Sequence, residues 1–148
     1  MRSPDVNLLV YAHREDQLHG AFYRSYLEDL VNSAAPFALS SLVAVGFLRI
    51  VTRPRFVNGP TPMTEAMHFI ETIIRAPGCH WLLPGPRHWE LTRHLCMESA
   101  AAGKRVADAQ HAAVAIEFGC TWITRDRDFL AFEPLGLSLE VVEPAGRA

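Results

Sequence analysis

The sequence predicts an α/β fold built on a mainly parallel sheet. Short β-prone runs alternate with one or two helical stretches along the whole chain, the pattern of strands joined by helical crossovers. Residues 104–129, KRVADAQHAAVAIEFGCTWITRDRDF, read as a helix feeding a strand, with acids at both ends of the unit. The length of 148 residues, 49% apolar and 20% charged with no repeat, suits one domain with a respectable core.

Taken in order, residues 1–4 leave room for only a very short strand, and Pro4, lacking an N–H, fits its end. Residues 6–12, VNLLVYA, are apolar throughout and fit strand or helix; Asp5 ahead of them would serve as a helix N-cap. Residues 14–17 read as a polar loop. Leu18, Phe22, Tyr26, Leu27, Leu30 and Val31 mark an amphipathic helix, broken at 32–36. Residues 37–41 form a short strand and 42–51 a buried helix. The Pro- and Gly-rich stretch 52–62 is a loop, and Thr61-Pro62 signals a helix start. Met63, Ala66, Met67, Ile70, Ile73 and Ile74 make that helix's stripe, stopped at Ala76-Pro77-Gly78.

Residues 79–83 read as a strand and 87–102 as a helix ended by Gly103. Val106, Ala109, Ala113 and Ile116 give the next helix one core-facing stripe, and Gly119 supplies a left-handed stop. Residues 120–124 are a short uncharged run suited to a buried strand, and 138–142 close the chain as a last strand before a polar tail at about 144–148.

No run is long enough to span a bilayer and no basic-then-apolar leader is seen, so a cytoplasmic protein is expected. Cys79, Cys96 and Cys120 lack CxxC spacing and are expected as reduced thiols. The histidines lack zinc spacing. A net charge of −2 argues against coating duplex nucleic acid by charge alone, although basic residues cluster at Arg49, Arg53, Arg55 and at Lys104, Arg105, Arg125, Arg127.

The chemistry-bearing feature is a set of carboxylates. Asp126 and Asp128 follow a parallel strand directly, and in open α/β sheets the ligand crevice lies outside that edge. Asp108 sits near the start of the preceding helix, which reaches the same edge, and Asp5 joins them if a short strand precedes it. Two such charges about 4 Å apart repel by roughly 4 kcal/mol at an effective dielectric near 20, so protonation or a cation must relieve them. An all-oxygen set with room for water suits Mg²⁺ or Mn²⁺.

With those residues in view, the chain resembles PIN-domain ribonucleases, and more narrowly the VapC toxins of bacterial toxin–antitoxin pairs. Asp5-Val6-Asn7, DAQHAAVAIEFG beginning at Asp108, and TRDRDF beginning at Thr124 carry the resemblance, with VYAHRED and GFLRIVTRPR similar to segments of that group. It covers essentially the whole chain, residues 1–148 as one PIN domain. It implies a three-layer α/β/α fold with a roughly five-stranded, mainly parallel sheet, and a Mg²⁺-dependent endoribonuclease, Mn²⁺ able to substitute. It also implies inhibition by a VapB-type antitoxin and a homodimer. By position, Asp5, Asp108 and Asp126 would hold the metal, Asp128 would be a fourth acid, Asn7 would assist Asp5, and Thr124 would orient a water or an acid. Many relatives carry a further acid in the helix after the second strand, where this chain has Gly46. That departure favours a single ion.

Each residue also has a plainer reading. Asp5 and Asp108 would cap helices, Asp126 would be a turn residue, and Arg49, Arg53 and Arg55 would form a solvated or antitoxin-facing surface as readily as an RNA contact. Trp81, Trp89 and Trp122 are expected in the core rather than as base-stacking platforms. Two rival functions remain. One is a phosphatase of the haloacid-dehalogenase type, which wants an Asp where Asn7 stands; the other is a degenerate PIN domain that binds partners without cleaving RNA.

Overall fold

The computed structural model describes residues 1–145 of the chain. Five strands, β1 (Arg2–Pro4), β2 (Phe37–Ser40), β3 (Cys79–Leu82), β4 (Thr121–Thr124) and β5 (Ser138–Val141), form one sheet in the order β3-β2-β1-β4-β5, and every pairing is parallel. The helices are α1 (Val6–His13), α2 (Gly20–Asn32), α3 (Ser41–Val51), α4 (Met63–Ile74), α5 (His88–Ser99) and α6 (Lys104–Glu117), followed by a 3-10 segment, Arg127–Leu135.

The strand order explains the layering. The chain steps outward from β1 to β2 and β3, then returns to the other side of β1 for β4 and β5. Right-handed crossovers put α1–α4 on one face and α5, α6 and the 3-10 segment on the other. The contacts agree: α1 packs on α2 and α3, α3 on α4, and α5 and α6 on each other and on the 3-10 segment. The order therefore reverses between β1 and β4, and the C-terminal ends of those strands flank the crevice where such sheets bind ligands.

Residues 6–12, ambiguous by periodicity, are helical: Leu8 and Leu9 are fully buried, and Val6, Val10 and Ala12 nearly so. Ser40 ends β2 and caps α3, its hydroxyl accepting from the Leu42 N–H at 3.1 Å.

Several expectations are corrected. The helix before Gly103 ends at Ser99, with Ala100 left-handed at φ 51°; Gly103, at φ 57° and ψ −123°, opens α6 instead. Leu18 lies outside α2 and is exposed, because His19, at φ 62°, turns the chain before the helix starts. Val106 is exposed because burial in α6 begins only at Asp108; its first turn stands clear of the core. Trp122 is 1% exposed, stacked on His111 and tilted against Phe129, as a core residue should be. Trp81 and Trp89 are not core: they are 42% and 69% exposed, Trp81 on an edge strand and Trp89 in the first turn of α5. The 3-10 segment, with Pro134 inside it, had no periodicity to announce it. The three cysteines are free thiols. Among the described residues no helix is long and apolar enough to cross a membrane. The polar tail lies partly beyond the described residues.

Candidate metal centre

Pro4 ends β1 and Asp5 follows at the N-cap position of α1, its N–H donating to the Ile123 carbonyl at 2.8 Å, so the strand ends themselves fix it beside β4. Its side chain makes no cap bond. Instead Asp5 Oδ2 accepts a 2.5 Å hydrogen bond from the Thr124 hydroxyl, across the switch point from the last residue of β4. Thr124 Oγ1 in turn accepts from the Asp126 N–H at 2.9 Å, tying the turn after β4 to the same oxygen. Asp108 is the fifth residue of α6 rather than its cap. The three acids line one cleft of about 120 Å³ with Asn7, Gly46, Arg49, Lys104 and His111.

The run Thr124–Phe129 splits once folded. Arg125 stacks on Tyr11 and Tyr23, Arg127 pairs with Glu143 at 3.1 Å, and Phe129 is buried. Asp126 lines the cleft, its Oδ1 accepting from the Asp128 N–H and its Oδ2 from Lys104 Nζ, both at 2.9 Å. Asp128 is exposed and does not line the cleft, although its charge acts on Asp108.

Electrostatics sets these acids apart. Asp5 is 4% exposed, and burial pushes its carboxyl up to about 7 against the Thr124 bond that lowers it, with Asp108 and Asp126 adding repulsion. Asp108 is 7% exposed and raised to about 6, by burial first; Lys104 opposes the rise and Asp126 and Asp128 add to it. Burial works against the Asp126 charge too, but the Lys104 bond and the Asp128 N–H overcome it and hold that carboxyl below its ordinary range. His111 is lowered to about 4 by burial and by Arg49 and His88.

Among the described residues no three His, Cys, Asp or Glu side chains are arranged as they stand to hold a metal ion. The donor chemistry nonetheless fits a hard divalent cation. Asp108 Oδ2 is buried with no hydrogen-bond partner, a condition that a bound cation or a water would relieve. Asp5 and Asp108 supply oxygens only, and Asp126, engaged by Lys104, is the third.

Two residues of the cleft were missed from sequence. Lys104 was visible only as part of a basic cluster, although it lies four residues before Asp108 on one helix face. His111, whose Nδ1 is also buried without a partner, carried no metal spacing to single it out.

The PIN domain family model matches residues 4–133. Ribonuclease VapC43 of Mycobacterium tuberculosis is 42% identical over 131 residues, 88% of this chain and 89% of its own. Ribonuclease VapC25 of the same organism is 38% identical over 128 residues, 86% of this chain and 90% of its own. Among solved structures, that of VapBC2 from Rickettsia felis bound to a promoter DNA fragment superposes with a TM-score of 0.70 at 18% identity, over 96% of this chain and 98% of the other. FitAcB from Neisseria gonorrhoeae does so with a TM-score of 0.64 at 16% identity, over 94% and 96%.

Proposed function

Because this chain belongs to the PIN domain family, we infer that it is an endoribonuclease of the VapC type, the toxin half of a toxin–antitoxin pair. The observation that carries the reading furthest is the partnerless Asp108 Oδ2, buried beside Asp5 at the switch point of a parallel sheet.

In this reading residues 1–148 act as one domain in the cytoplasm. Asp5, Asp108 and Asp126 would hold the divalent cation, Mg²⁺ with Mn²⁺ able to substitute. Once bound, that cation lowers the pKa of water and offsets charge on the phosphodiester. Thr124 holds Asp5 Oδ2 in one orientation and, through the Asp126 N–H, fixes the third acid relative to the first. One of the cleft's carboxylates would assist the attacking water to lose its proton. Asn7 lines the cleft beside Asp5 and assists it, and Asp128 contributes charge from outside. Arg49 lines the wall, with Arg53 and Arg55 on the loop beyond α3, where phosphates of an incoming RNA would meet them. The partners in this reading are RNA, a VapB-type antitoxin and a second copy of the chain.

The test is to purify the chain, add Mg²⁺ or Mn²⁺, and map cuts across total cellular RNA. Discrete cuts that vanish in excess chelator and in Asp108→Asn are expected; full activity in either would overturn the reading.

One observation favours a non-cleaving partner protein instead. At Gly46, where many relatives carry an acid, an added Cβ would stand 2.9 Å from Val6 Cγ2, so the wall is filled by an apolar side chain. Calorimetry separates the two, since no Mn²⁺ uptake at millimolar metal would favour the binding role. The phosphatase alternative has no support from the family.

A further inference from the structure

Lys104 stands where a helix least welcomes a cation. It is the first residue of α6, at the positive end of the helix dipole, and no acid in that first turn offsets it. Its compensation comes from across the cleft: Nζ sits 2.9 Å from Asp126 Oδ2. Asp108, one turn along the same helix, and Asp128 act on the same ammonium.

The plain alternative is a surface ion pair joining α6 to the turn after β4. Such a pair contributes only a small value to stability, and less here because the lysine side chain is 67% exposed. That small value cuts the other way for function: the bond is cheap to exchange. The ammonium is a point charge on a flexible four-carbon stem, able to pivot between partners without moving the backbone. Meanwhile the cleft holds a second, independent sign of an absent ligand in Asp108 Oδ2, buried and unpartnered.

We propose that Lys104 is a resident counter-cation of the acidic cleft, occupying Asp126 until a divalent cation takes that carboxylate and then turning to a phosphate of the RNA. This rests on the reading of the cleft as a metal-dependent RNA site. As a positioning residue, Lys104 has opposed effects on the two ligands. It competes with the metal, by like charge and by holding a ligand oxygen, and it attracts the nucleic acid. A merely structural ion pair would shift both in one direction or neither.

The experiment compares wild type, Lys104→Met, Lys104→Arg and Asp108→Asn. Mn²⁺ uptake is measured by calorimetry at low salt, and binding of a labelled single-stranded oligo(U) with a cleavage-resistant phosphorothioate backbone by anisotropy at saturating Mn²⁺. Lys104→Met should bind Mn²⁺ at least about threefold more tightly. It should also bind oligo(U) more weakly, with the slope of log K against log salt shallower by about 0.7, one phosphate contact on a single strand. Lys104→Arg should keep the wild-type values for oligo(U). If Lys104→Met matches wild type on both ligands while Asp108→Asn abolishes Mn²⁺ uptake, the counter-cation idea fails and the nuclease reading stands. If wild type takes up no Mn²⁺, both fall together.

Discussion

The two ends of α1 bury charge in opposite ways. At its C-terminal end Arg14 is 8% exposed yet fully engaged: it meets Asp16 through Nε and Nη2 at 3.0 and 2.6 Å, donates to Thr61 Oγ1 at 3.1 Å, and lies over the Phe56 ring at 4.0 Å. That clamp fastens the end of the helix to the loop after α3. At its N-terminal end Asp5 is as deeply buried, with Thr124 as its side-chain donor and two further acids nearby. One end is compensated and holds the fold together. The other is left under-compensated, and a fold tolerates that where a ligand is to finish the job.

The comparison can be broken most severely at the satisfied end. Arg14→Met should cost about 3 kcal/mol by removing the buried guanidinium's bonds to Asp16 and Thr61 and its packing on Phe56, read as a lower urea midpoint, while folded molecules still cleave RNA at the wild-type rate. At the other end Asp108→Asn should reduce cleavage at least about 100-fold with Mn²⁺ present and leave the fold intact, measured by initial rates and thermal melting.

The pH response should sharpen the contrast. Asp5 has a folded pKa raised from 3.8 to about 7, so the folded state holds the extra proton between those values. Without metal, its contribution to stability is therefore present below about pH 4 and lost as pH rises through 7. Asp16 is depressed by its Arg14 bonds, so its contribution is present above the ordinary carboxylate range and lost as pH falls through its lowered value. The two ends of one helix respond to pH with opposite sign. Asp5→Asn should accordingly stabilise the metal-free chain at pH 8 and hardly at all at pH 4, checked by denaturant titration at both. The smallest effect is expected from Thr124→Val, which keeps the shape and removes the donor to Asp5: cleavage should fall about tenfold.

Much of this was legible in the residues. Alternating short apolar runs and helical stripes gave all five strands, and acids placed just beyond strands pointed to one sheet edge. What the chain could not display was rotation and order. Periodicity does not say that Cys79–Leu82 lies at the sheet's edge, which is why Trp81 was expected inside. It does not say that Gly103 begins a helix rather than ending one, which is why Asp108 was taken for a possible cap. Nor does local sequence reveal that Lys104 and Asp126, 22 positions apart, would form an ion pair. Such pairings are set by the crossover between α6 and β4.

Gly46 and Val6 carry a consequence for how this chain can vary. A Cβ added at position 46 would stand 2.9 Å from Val6 Cγ2, so Gly46→Glu requires Val6 to give way or to be exchanged for a smaller residue. A fourth carboxylate placed there alone overpacks the wall, and a smaller residue at position 6 alone leaves a void. Close packing of Val6 on Gly46 is thus what opposes a fourth acid at this wall.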